Sequence, residues 1–119
     1  MAVQTRDLVE GVFEKDEALA RLQKRLVDEY EARVEEAADM QQEYRRALAV
    51  AHLQAVADTR LTTATMREAR AQELASDAER AAAITAGMVN ATLARLLAVE
   101  TDRETLRALV QCSTPGTPT

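Results

Sequence analysis

Proline is absent from the first 114 residues of this chain, and before residue 115 glycine stands only at positions 11 and 87. Folds built from many short strands need those residues at their turns, so turn-rich β architectures are excluded and long helices are favoured. Helical periodicity agrees. From Asp16 to Ala57 the apolar residues recur in steps of three and four: Leu19, Leu22, Leu26, Tyr30, Val34, Ala37, Tyr44, Leu48, Ala51 and Ala55. That is one stripe along a helix of about 42 residues, roughly 63 Å at 1.5 Å per residue. Two successive steps of four, Leu26 to Tyr30 to Val34, predict a local relaxation of any supercoil. Gln41 falls on the stripe as a partly exposed polar residue.

The stretch "ADTRLTTATMREARA", residues 57–71, predicts a bend. Its "TRLTT" segment groups hydroxyl and β-branched residues of poor helix propensity. In "TMRE" the Thr65 hydroxyl can accept from the Glu68 N–H while the Glu68 carboxylate returns to the Thr65 N–H, which starts a new helix. The same pattern recurs at Ser76 with Glu79 and at Thr101 with Glu104, where the setting singles out no new start. A second helix is expected over about 65–110, with Ala69, Leu74, Ala78, Ala81, Thr85, Met88 or Val89, Leu93, Leu96, Leu106 and Leu109 inward and Gly87 as its softest point. Thr101 is a further place where it could break.

The expected fold class is therefore all-α: an antiparallel, coiled-coil-like hairpin of two long amphipathic helices. It forms a single helical domain over 1–111, with a first long helix at about 16–57, a bend at 58–64, and a flexible polar tail at 112–119. The segment around Leu8, Val12 and Phe13 is either a short helix hinged near Gly11 or the start of the first long one. Two helices bury one stripe each, which is little core for a stable small domain, so self-association is the natural completion. Its packing residues are Leu19, Leu22, Leu26, Tyr30, Val34, Tyr44, Leu48, Leu74, Val89, Leu93, Leu96, Leu106 and Leu109.

The net charge of −5 is unevenly distributed. Residues 7–43 carry 12 acids and 5 bases, whereas residues 44–70 carry five arginines (Arg45, Arg46, Arg60, Arg67, Arg70) against Asp58 and Glu68. Those arginines are the candidate contacts for phosphate or a partner at the bend. Without an aromatic platform they fall short of a single-strand binding surface, so nucleic acid is an admissible but unfavoured partner. Pairs such as Glu17–Arg21 and Glu29–Arg33 stand at i,i+4 spacing on exposed helix.

Catalysis has no foothold in the pattern. His52 is the sole histidine, Cys112 the sole cysteine, and acid pairs such as Glu35–Glu36 and Asp16–Glu17 read as solvated. The chain reads as no enzyme, with neither cofactor nor metal. It shows no signal-peptide pattern and no apolar run of about 18 residues, so the cytoplasm is expected and a membrane is not.

From Glu43 onward, "EYRRALAVAHLQAVADTRLTTATMREARAQELASDAERAAAITAGMVNATLARLLAVETDRETLRALVQ" resembles small, uncharacterised, alanine-rich helical proteins of tailed phages and prophages of actinobacterial type. The matching residues are Tyr44, Ala47, Ala49, Ala51, Leu53, Thr65, Glu68, Ala69, Leu106, Arg107 and Leu109, within residues 43–110. The bend departs from that pattern by lacking a glycine before the threonine. The resemblance implies an accessory role beside phage recombination and replication genes, in the host cytoplasm, and carries over no functional residue. The function expected is a non-enzymatic adaptor that binds itself and a protein partner. Direct nucleic-acid binding through the bend and a virion or assembly role are the alternatives.

Overall fold

The computed structural model describes residues 2–113, and the side chains of 6–112. The described residues are all-helical, in three helices: α1 over Ala2–Ala57, α2 over Ala64–Leu74 and α3 over Ser76–Ser113. Helix α1 thus includes the segment around Leu8 and passes Gly11 without a break. Helix α3 passes Gly87 and Thr101 without a break and takes in Cys112 and Ser113; the rest of the polar tail lies outside the described residues.

Threonines inside α3 are accommodated because their hydroxyls return to the helix. Thr85 Oγ1 donates to the carbonyls of Ala81 and Ala82, Thr101 Oγ1 to Leu97, and Thr105 Oγ1 to Thr101, each at 3.0–3.1 Å. Such back-bonding satisfies a hydroxyl that would otherwise compete for the backbone. That is why Thr101 ends nothing.

The loop before α2 is closed by the Leu61 N–H donating to the Asp58 carbonyl at 3.1 Å. Its restart corrects the expected cap. Thr63, not Thr65, is the N-cap: its backbone is extended (φ −118°, ψ 155°) and its Oγ1 accepts from the Met66 N–H at 3.2 Å. Thr65 already lies within the first turn, so Glu68 sits too far along to close a capping box. Thr63→Ala is therefore expected to cost about 1 kcal/mol and Thr65→Ala much less, measured as paired urea midpoints. Equal losses would return the cap to Thr65.

Helices α2 and α3 meet at Ala75, a break with no glycine or proline behind it. The Ala75 N–H donates to the Ala71 carbonyl and the Ala75 carbonyl accepts from Glu79, both at 3.0 Å, so hydrogen bonding is nearly continuous across the step. Asp77 and Glu79 fall in the first turn of α3, where acids favour the positive helix end.

The chain divides into two compact units, one made of the residues up to Tyr30 and from Ala91 onward, the other of Glu31–Asn90. In the first, Leu26, Leu96 and Val99 form the core, and Leu19, Leu22 and Tyr30 pack on it. Here α1 and α3 run in opposite directions, since Asp16 meets Arg103 while Glu29, further along α1, meets Arg95, earlier in α3. In the second unit the core is four alanines, Ala51, Ala55, Ala71 and Ala75, flanked by Tyr44, Ala47, Leu48 and Leu61. Small side chains let helices approach closely.

The register of the long helices departs from the expected one in an instructive way. From Ala75 through α3 a seam of less exposed positions runs Ala75, Ala78, Ala82, Thr85, Val89, Thr92, Leu96, Val99, Arg103, Leu106 and Val110, alternating steps of three and four throughout. Leu74, Leu93 and Leu109, expected inward, are exposed beside that line, as is Ala69 in α2. In α1 the seam passes through Arg33 and Met40, leaving Val34 and Gln41 exposed. The two consecutive steps of four therefore vanish, and the three–four alternation is kept where a relaxation was expected.

Candidate interaction surfaces

Five arginines mark the bend, all in the unit of residues 31–90. Arg60 grips Asp58 in a fork, Nε to Oδ1 at 3.1 Å and Nη2 to Oδ2 at 3.0 Å, while its own backbone N–H also donates to Oδ1 at 3.0 Å. That fork, seconded by the backbone bond, holds the Asp58 carboxyl down to about 2, with weaker help from Arg70. Arg70 itself pairs with Glu73 at 3.2 Å and Arg46 with Glu43 at 3.3 Å. Arg67 donates from Nε to the Leu61 carbonyl at 3.2 Å, tying α2 back to the loop. Arg45 lies exposed on α1.

Four of the five thus serve local acceptors. Exposed pairs of this kind contribute little and open at little cost. The geometry is that of a stiffened bend more than of a cradle. His52 and Cys112 are both exposed, and among the described residues no three His, Cys, Asp or Glu side chains gather as metal ligands.

In the other unit, Arg103 reaches across from α3 to α1. Its Nε donates to Asp16 Oδ1 at 2.9 Å and its Nη1 to Gln23 Oε1 at 2.6 Å. The sequence reads Asp16 as a solvated acid; in the fold it is a seam residue. The signal that locates it is positional: Asp16 and Arg103 each fall on the three–four alternation of their helix. The charge pairs are rearranged in the same spirit, since Glu29 faces Arg95 at 3.7 Å and Arg33 pairs with Glu36 at 3.1 Å, in place of Glu29 with Arg33.

The Arg103 hydrogen bond pushes the Asp16 carboxyl below its ordinary 3.8, against the pull of partial burial. A depressed carboxyl stabilises the fold above its unfolded value, and that stabilisation fades as pH falls through about 4 towards the folded value. An Arg103→Met variant is accordingly expected to unfold more easily than the parent at neutral pH, and the part of that deficit owed to Asp16 is expected to shrink as pH falls below about 4, leaving the part owed to the Gln23 bond. A deficit that stays constant with pH would remove the ion pair from the account.

Apolar side chains are distributed partly inside out. On α3 the seam takes alanine and threonine in its first half and mostly valine and leucine in its second, while Ile84, Leu93, Leu97 and Leu109 are exposed. An 18-residue stretch of this helix reaches a mean hydropathy of 1.5 with only 28% of it buried, so by length and composition it could cross a membrane. Its charge-free part, between Arg80 and Arg95, is 14 residues, shorter than the run of about 18 that a membrane span needs. One seam uses only part of that apolar surface.

On α1 a second set, Val50, Leu53 and Val56, is exposed over the last two turns. Within the unit made of the residues up to Tyr30 and from Ala91 onward, Val12, Phe13, Leu106 and Val110 line an open groove of about 230 Å³ between α1 and α3, with Asp16 and Arg107 at its edge. Among known proteins, no family model, no curated protein and no solved structure matches the chain.

Proposed function

We propose that this chain is a non-enzymatic helical interaction protein: an antiparallel, coiled-coil-like hairpin that associates with further copies of itself and works by binding a protein partner. The observation that carries the reading is the set of large apolar residues that α3 leaves exposed beside its seam. Its seam takes Ala78, Ala82, Thr85 and Thr92 together with Val89, Leu96, Val99, Leu106 and Val110, and Ile84, Leu93 and Leu97 still stand outside it. Water-exposed apolar faces of this extent favour association, because covering them releases the hydrophobic free energy that the hairpin alone leaves unused. Phage DNA recombination or replication, in the host cytoplasm, is the setting implied by the resemblance of residues 43–110.

The test is a pull-down of the tagged chain from cells expressing its native genetic neighbourhood, with nuclease added to half of the sample. Recovery of a recombination or replication protein that survives nuclease and is lost in a Leu93→Asp, Leu97→Asp variant supports the adaptor. Recovery that vanishes with nuclease transfers the function to the arginine bend. Sedimentation of the untagged chain with the membrane fraction would assign the outer face of α3 to lipid and overturn the protein-partner reading.

A further inference from the structure

We infer that copies of this chain join head to tail, with the Val50–Leu53–Val56 face of one copy seated in the Val12–Phe13–Leu106–Val110 groove of the next. This deepens the self-association reading and rests on it. The two surfaces belong to different units and differ in kind, so they can fit each other without either fitting itself.

The groove is concave and apolar between two helices, a shape that accepts a third helix by its i, i+3 anchors. Phe13 on its rim is 56% exposed, a cost for a large ring left in water. The Val50 face supplies a suitable ridge: three aliphatic residues at steps of three, with Leu53 72% exposed.

Charge selects the pairing. Residues 6–17 and 100–112, which build the groove end, hold eight acids (Asp7, Glu10, Glu14, Asp16, Glu17, Glu100, Asp102, Glu104) against four bases (Arg6, Lys15, Arg103, Arg107), net −4. Residues 43–60 around the ridge hold Arg45, Arg46 and Arg60 against Glu43 and Asp58, net +1. Two grooves brought together would set acid against acid, a repulsion that groove against ridge avoids. Groove with ridge is the attractive combination, and the salt-dependent part of its strength follows from exposed charge. A contact between two different patches is heterologous, so it closes into a ring or continues as a filament.

The test uses two full-length variants, Phe13→Asp for the groove and Leu53→Asp for the ridge. Both positions are largely exposed, so helicity and melting should match the parent and any change in assembly reads the surface directly. Each variant alone is expected to sediment as a monomer. An equal mixture is expected to form a pair and nothing larger, because one intact groove meets one intact ridge and the outer surfaces are disabled.

A mixture that stays monomeric, or variants that still assemble alone, would overturn the head-to-tail contact while leaving self-association standing through another surface. A parent chain that is monomeric at every concentration would overturn the self-association reading itself, and this inference with it.

Discussion

Truncating Leu26 to alanine is expected to destabilise the chain by about 2–5 kcal/mol, the range for a leucine removed from a packed interior. Leu26 is 2% exposed and is the largest fully buried side chain among the described residues. It meets Leu96 and Val99 from α3, with Leu19, Leu22 and Tyr30 closing over them. Because that cluster is small, little can move in to refill the space. Val27, the next residue, is 38% exposed, and Val27→Ala is expected to change stability by well under about 1 kcal/mol beyond its modest propensity gain. Thermal and urea unfolding of the two variants side by side would measure the contrast. Similar losses for both would mean that Leu26 does not sit in a seam.

The opposite kind of change is expected to hurt the other unit. Ala71 is fully buried among Ala51, Ala55 and Ala75, where the helices come close because no side chain extends beyond Cβ. Ala71→Leu adds three carbons with no room to take them, at about 1–3 kcal/mol, in spite of leucine's good helix propensity and greater hydrophobicity. Ala83→Leu, on an exposed position of α3, is the control and should be close to neutral. A neutral or stabilising Ala71→Leu would show that the four alanines are not the contact.

These two sites show what could be read from the sequence and what could not. The stripe of α1 was legible because its inward residues are large: Leu19, Leu22, Leu26, Tyr30, Tyr44 and Leu48 all fall at buried or half-buried positions. The end of that helix at Ala57 was legible from the threonine-rich stretch after it. Helix α3 was harder, because the first half of its seam is mostly alanine and threonine: Ala78, Ala82, Thr85 and Thr92, with Val89 among them. Hydropathy points to the leucines instead, and following Leu74, Leu93 and Leu109 shifts the inferred face by one residue at those points. The break at Ala75 carried a signal, the Ser76–Glu79 spacing, but the same spacing at Thr101 with Glu104 marks no break. Local capping patterns do not decide between them; burial of Ala71 and Ala75 does.

The bend arginines were legible as a cluster in sequence, and their local acceptors were not. Asp58 lies two residues from Arg60, but nothing in the pattern says that the guanidinium folds back onto it. The Arg103–Asp16 contact spans 87 residues and needs the pairing of α1 with α3 to be known first. Once the three–four alternation is laid along both helices, the two charges fall on facing seams and each explains why the other is tolerated there.

Sedimentation of the untagged chain over a wide range of concentration tests the central claim most directly. The expected result is an average mass that starts near the 13.1 kDa of one chain and climbs with concentration, and less steeply at high salt. A single 13.1 kDa species at every concentration and ionic strength would contradict the account, for the apolar faces of α1 and α3 would then be left in water with no second copy to cover them.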